Sequence, residues 1–307
     1  MIVTVTPNPA LDLTYTVDAL VPHGTHRVSA VAEEPGGKGL NVARVLHALG
    51  EPVLATGLLG GSTGDRVSEL LADAAVPAAF LPIAAETRRT VSVADDADAT
   101  GFWEPGPMVT GREWAAFVAQ FEELLGDAEV VALCGSLPPG APIDGYATLV
   151  RVAAKRGVPS VLDTSGEALR HGLAAGPDLV KPNVDELAAL RTRGSELDAA
   201  SLLDCGAKAV VVSRGPEGLL ALTGDGAWRG VPSERLTGNP TGAGDACVAA
   251  LARGLRDHTP WPELLAEAVA LSAAAVATPT AGAVDLATYR RLRPAVRVSA
   301  AREGSPC

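Results

Sequence analysis

Lysine is scarce in this sequence: 307 residues hold four, at positions 38, 155, 181 and 208. Lysine and arginine together number 25 against 36 aspartates and glutamates, for a formal net charge of −11. That deficit argues against general nucleic-acid binding and against attraction to anionic membrane surfaces. It also means that any phosphate-bearing ligand must meet a local concentration of positive charge. Cysteine is equally sparse. Cys134, Cys205, Cys247 and Cys307 are far apart, show no metal-type spacing and give no sign of a disulfide framework. Cys134 and Cys247 stand in apolar runs and are expected to be buried small hydrophobes. No uninterrupted apolar stretch is long enough to cross a bilayer. Met1 leads directly into a strand-like IVTVT with no basic leader, so a cytoplasmic protein is the expectation.

What the chain does have is apolar content, 47%, enough for a large core, and one domain over 1–307 is expected. Its 33 glycines and 23 prolines are dispersed and punctuate many short elements. Apolar runs that read as strands fall at 2–6, 53–58, 129–133, 158–162, 178–181, 209–213 and 218–222. Helical patterns lie at 38–49, 64–75, 111–125, 143–155, 184–191 and 197–205, then at 242–254, 261–277 and 285–292. This alternation predicts an α/β fold around a mainly parallel sheet. Segments 11–34 and 86–104 break the rhythm, reading as short alternating strands without helices between them. They are expected to form a small sheet that projects as a lid, the alternative being edge strands of the main sheet. The tail after Pro294 shows no pattern and reads as an exposed terminus.

Five motifs carry chemistry. In NPTGAGDACVAAL (239–251), Thr241 can cap a helix while Gly242, Ala243 and Gly244 turn tightly with their N–H groups exposed. Such a helix start attracts anions. Asp245, in its first turn, can accept a proton from an attacking hydroxyl beside a transferring phosphoryl group. The plainer alternative is a carboxylate that complements the helix dipole. PGGKGLNVARVLHALG (35–50) offers close backbone approach at Gly37, a cation at Lys38 and an amide at Asn41, without the spacing of a Walker A loop; a purely structural glycine turn would read the same. KPNVDEL (181–187) sets Asn183 and Glu186 three apart on one helical face. An amide oxygen and a carboxylate suit Mg²⁺ that keeps its waters, although an ordinary solvated face looks the same. VVSRGPEG (211–218) is a strand ending in a glycine-bounded turn, either a nucleotide cradle or a hairpin. TPNPALD (6–12) delivers Asp12 near the end of the first strand, where a carboxylate can bind adjacent sugar hydroxyls or simply cap the strand.

In order along the chain, TPNPALD, GGKGLNVAR, TRRTVSV, WEPGP, GSLPPG, KPNVDEL, SRGPEG and GAGDA resemble the ribokinase-like (PfkB) carbohydrate kinases. The likeness is greatest to the 1-phosphofructokinase and tagatose-6-phosphate kinase branch. The resemblance implies a Rossmann-like domain with a β-sheet lid and ATP as co-substrate. It implies Asp245 as catalytic base with the 242–244 backbone as anion hole, and Ser213, Gly215, Gly218, Gly242 and Gly244 at the nucleotide. Asp12, Gly37, Lys38 and Asn41 match sugar-binding positions, and Arg88 an arginine facing the sugar's phosphate. Asn183 and Glu186 match the motif that supports the Mg²⁺–phosphate network. The implied substrate is a ketohexose phosphate, fructose 1-phosphate first, then tagatose 6-phosphate or fructose 6-phosphate, then an unphosphorylated sugar or nucleoside. The rival from another class is a sugar-phosphate-binding regulator without catalysis. The lid is where two copies would pair in a homodimer. Trp103 stands where Asn is common in the branch, Ser92 where many members carry Lys, and Asn239 where potassium-dependent relatives carry an aspartate.

Overall fold

The computed structural model describes residues 1–96, 98–190 and 199–301. The first half carries strands β1 (Ile2–Thr6), β2 (Ala10–Thr16), β3 (Ala30–Gly36), β4 (Val53–Leu59), β5 (Ala78–Pro82), β6 (Arg88–Ala94), β7 (Ala99–Trp103) and β8 (Val130–Cys134). The second half adds β9 (Ser160–Asp163), β10 (Leu179–Val180), β11 (Ala209–Ser213), β12 (Leu219–Thr223), β13 (Gly226–Val231) and β14 (Arg297–Ala300). Between them run helices α1 (Lys38–Ala48), α2 (Gly61–Asp73), α3 (Gly111–Leu124), α4 (Gly145–Lys155) and α5 (Gly166–Leu173). Then follow α6 (Val184–Ala189), α7 (Ala199–Asp204), α8 (Ala243–Arg256), α9 (Trp261–Val276) and α10 (Leu286–Leu292). The ends of the helical patterns at 184–191 and 197–205 that reach into 191–198 lie outside the described residues, as do Cys307 and the rest of 302–307.

Among the described residues the large sheet has ten strands in the order β14-β13-β12-β11-β10-β9-β8-β1-β4-β5. Its centre is parallel and its β11–β14 end antiparallel. The central strands are apolar throughout because both faces are covered: every residue of β1 and β8 is buried. One face packs on α1, α8 and α9 through residues such as Leu46, Val248 and Leu271, and the other on α3, α4 and α5 through Phe117, Leu149 and Leu169. Cys134 and Cys247 are buried within the first of these cores, as expected. β1 lies between β4 and β8, so the chain leaves the centre first toward β5 and then toward β14. Ligands of open α/β sheets gather outside the carboxyl ends of the strands at such a reversal.

The two irregular segments form a separate sheet in the order β3-β2-β6-β7, antiparallel at both ends and parallel at its β2–β6 centre. Asp12 therefore stands within a lid strand, beyond the end of β1 rather than at it. The register sets Glu34, Asp12, Thr90 and Trp103 opposite one another in a row across all four strands. Side chains opposite one another share a face, so this row faces one way, and Leu13, Val91 and Phe102 the other.

The tail differs from the sequence reading. Arg297–Ala300 is strand β14, antiparallel to β13. Four residues are too few for a visible alternation, and the open edge of β13 supplies what the local pattern lacks. β5, β13 and α5 were likewise not anticipated, each being short and dependent on its neighbours.

Candidate active site

The residues given a catalytic, substrate-, nucleotide- or metal-binding role from the sequence all line one cleft of about 1420 Å³ between the carboxyl ends of the strands and the lid. Asp12, Arg88 and Thr90 contribute from the lid, Gly37, Lys38 and Asn41 from α1, and Asn183 and Glu186 from the start of α6. Ser213, Gly215 and Gly218 come from the β11–β12 turn, and 242–245 from the start of α8. SRGPEG is thus both a hairpin and a wall of the cleft.

The start of α8 differs from expectation in one respect. Its cap is Gly242, at φ 88°, with no side-chain cap bond, so Thr241 does not cap it. Instead Asn239 accepts from the Thr241 N–H (2.9 Å) and donates to the Pro279 carbonyl (2.9 Å), which fixes the approach to the turn. Glycine is required at 242, because a Cβ there would lie 2.9 Å from Ala281 Cα on a left-handed backbone. Without a side-chain cap, the turn faces the cleft as an anion-attracting helix end.

Asp245 is buried on the first turn of α8 and accepts a hydrogen bond from Asn41 Nδ2 (2.8 Å). Burial, with the nearby Asp163 carboxylate, pushes its pKa up to about 7, against the opposing pull of Asn41, Lys38 and Lys181. Asp163, at the end of β9, went unremarked in the sequence. It is buried, pairs with Lys38 Nζ (3.2 Å) and Lys181 Nζ (3.4 Å), and leaves its Oδ2 without a partner. An acidic residue ending a strand, in VLDTSG, was the available signal, the same one that drew attention to Asp12. Burial works against the Lys38 charge, but Asp163, Glu186 and Asp245 outweigh it and raise its pKa. Lys181, buried behind the turn, keeps its charge by the same balance, chiefly through Asp163. Its Nζ lies 3.6 Å from where a Cβ on Gly244 would be.

Asn183 and Glu186 form a reciprocal capping box at α6: Asn183 Oδ1 accepts from the Glu186 N–H (2.7 Å) and Glu186 Oε2 from the Asn183 N–H (2.9 Å). Glu186 Oε1 meets Lys38 Nζ at 3.3 Å. No group of three or more His, Cys, Asp or Glu among the described residues could cage a metal directly. A carboxylate lining the cleft beside a buried, half-satisfied Asp163 still fits a cation held through its waters.

In the lid, Asp12 accepts from Thr90 Oγ1. Burial raises its pKa, opposed by Thr90 and by Arg88. Arg88 donates from Nη1 to the Glu104 carbonyl (3.1 Å) and from Nη2 to the Asn8 carbonyl (3.1 Å), while its buried Nε has no partner. Arg89 points to the other face and pairs with Glu104 at the surface, as strand alternation requires. Asn8 in turn donates to the Pro105 carbonyl and to Ser136 Oγ, tying the GSLPPG loop to this corner.

A mostly parallel sheet bearing a small β-sheet lid, over a buried carboxylate at a glycine-rich helix start, is the architecture of ribokinase-like sugar kinases. The chain belongs to the pfkB family of carbohydrate kinases, whose family model matches residues 6–287. Phosphofructokinase-2 from Escherichia coli, solved with potassium, is 32% identical at a TM-score of 0.89, over 96% of this chain and 98% of that one. The same enzyme solved with fructose-6-phosphate matches at 0.86, with the same identity and coverage. A protein from Thermotoga maritima described as a possible 1-phosphofructokinase is 27% identical at 0.88, over 98% of this chain and 99% of that one. The chain is a phosphotransferase acting on a sugar or sugar phosphate, with ATP as the co-substrate its family implies.

Proposed function

We propose that the protein transfers the γ-phosphoryl group of ATP to a hydroxyl of a ketohexose phosphate, with fructose 1-phosphate as the first candidate and fructose 1,6-bisphosphate as product. The observation that carries the reading is Asp245: a buried carboxylate with a pKa of about 7, beside an uncapped helix start and two lysines. A base poised near neutrality can take the proton of an attacking hydroxyl, then release it. The Gly242–Gly244 backbone and the end of α8 stabilise charge developing on the transferring group. Asp163 holds Lys38 and Lys181 at the turn, concentrating the scarce positive charge where phosphates would lie. Asn183 and Glu186 would hold Mg²⁺ through its waters, and the ion would neutralise nucleotide phosphate charge. Ser213, Gly215 and Gly218 form the wall assigned to the nucleotide.

Asp12 suits sugar hydroxyls. Arg88, which lines the cleft and is oriented by two carbonyls, suits a phosphate already on the substrate. Similarity to phosphofructokinase-2 solved with fructose-6-phosphate favours that sugar as the second reading. Either isomer would give the same bisphosphate, so the product does not distinguish them. ADP release with Mg-ATP and a panel of hexoses and hexose phosphates tests the proposal. Turnover on a ketohexose phosphate above every free sugar is expected. Binding of sugar phosphate without any ADP release would favour a non-catalytic regulator.

A further inference from the structure

Trp103 leaves 73% of its surface exposed, the most of any large apolar side chain among the described residues, yet it lines the cleft. It ends β7 opposite Thr90, which lies opposite Asp12 in β2. The three therefore share the cleft-side face of the lid. The indole lies back along its own strand, since a Cβ on Gly101 would come within 2.9 Å of Trp103 Cζ2. Glycine two residues earlier is what lets so large a ring lie against the sheet. The result is a broad apolar plate at the mouth of a cleft whose other lid groups, Asp12, Thr90 and Arg88, are polar or charged.

A sugar has two kinds of surface, hydroxyl edges and patches of C–H. Asp12 and Arg88 can satisfy only the first. The second is best buried against a flat aromatic ring, which excludes water without demanding hydrogen bonds. We infer that Trp103 is a substrate-positioning residue whose indole covers the C–H face of the sugar held by Asp12 and Arg88. This rests on the sugar-kinase reading and adds to it the group that recognises the apolar side of the substrate.

The test is steady-state kinetics of Trp103→Ala and Trp103→Phe. Phe102→Ala serves as a control: Phe102 is a neighbouring aromatic, 58% exposed, on the opposite face of the lid. Trp103→Ala should raise KM for the sugar phosphate about 10-fold, the scale of a lost apolar contact in a substrate pocket. Its kcat and its KM for ATP should stay within about twofold of wild type. Trp103→Phe should recover most of the affinity, and Phe102→Ala should leave the sugar KM unchanged. Sugar phosphate alone should shift the tryptophan emission of the wild type but not of Trp103→Phe. If the wild type turns over sugar phosphate and Trp103→Ala keeps its KM, the inference falls while the kinase reading stands. If Trp103→Ala and Phe102→Ala raise KM alike, or Trp103→Ala loses a dimer in sedimentation together with its affinity, the ring serves a contact between lids and the inference is wrong. A wild type inactive on every sugar defeats the kinase reading, and this inference with it.

Discussion

Replacing Asp245 by Asn should cost activity and add stability, and the two effects should depend on pH in linked ways. The carboxylate pKa rises from 3.8 to about 7 on folding, first because of burial and then because of Asp163. A folded pKa raised above the unfolded value means that this group's contribution to stability is intact below about pH 4. It is lost as pH rises through about 7. At ~1.4 kcal/mol per pH unit, holding Asp245 ionised costs the fold about 4 kcal/mol at alkaline pH. The Asn side chain can still accept the Asn41 bond, and it leaves Lys38 and Lys181 facing Asp163 and Glu186, two charges against two. Urea unfolding of wild type and Asp245→Asn at several pH values should therefore give similar free energies near pH 4. A gap in favour of the variant should open through pH 4–7 and level off above. Over the same range, wild-type kcat/KM should climb about tenfold per unit below pH 7 and flatten above it, as a base must be deprotonated to act. The variant's kcat should be lower by about 10²–10⁴-fold. A stability gap that is flat in pH, or a variant with near-normal kcat at saturating substrate, would refute the reasoning.

Arg88→Ala should lower kcat/KM for the sugar phosphate by roughly 30-fold with little change in KM for ATP, because it removes a charge oriented into the cleft. Arg89→Ala removes only a surface pair with Glu104, both about half exposed, and should do little; equal effects would remove the phosphate-site assignment. Glu186→Gln can still accept the Asn183 N–H, so α6 should persist while the Mg²⁺ concentration needed for activity rises; an unchanged Mg²⁺ titration would leave the pair a capping box alone. Asp163→Asn takes away a carboxylate that helps raise the Asp245 pKa, so the acid limb of the rate profile should move to lower pH; a limb that stays at about 7 would mean that burial alone sets it.

The features legible in the sequence are those that short-range rules govern. Glycines at a helix start, with an acid in the first turn, announce GAGD because few other residues fit a left-handed backbone at 242. Alternation marked 11–34 and 86–104 as strands, and a period of two needs no knowledge of partners. Asn183 and Glu186 were legible as a pair but not as a capping box that also faces the cleft, since the i,i+3 spacing serves both. β14, with four residues, has too little length to show a period and exists because the edge of β13 was open.

Tertiary structure alone decided which charges meet. Lys38 reaches Asp163 across 125 residues of chain and Glu186 across 148, and Asn41 reaches Asp245 across 204. Those contacts follow from the order of the parallel strands, which brings the ends of β1, β9 and β10 and the starts of α1 and α8 to one edge of the sheet. Strand order is settled by which apolar faces bury one another over long separations, and periodicity does not encode it. The sequence could therefore name Asp245 as a candidate base. Only the fold could bury it beside Asp163 and bring its pKa to where a base is useful.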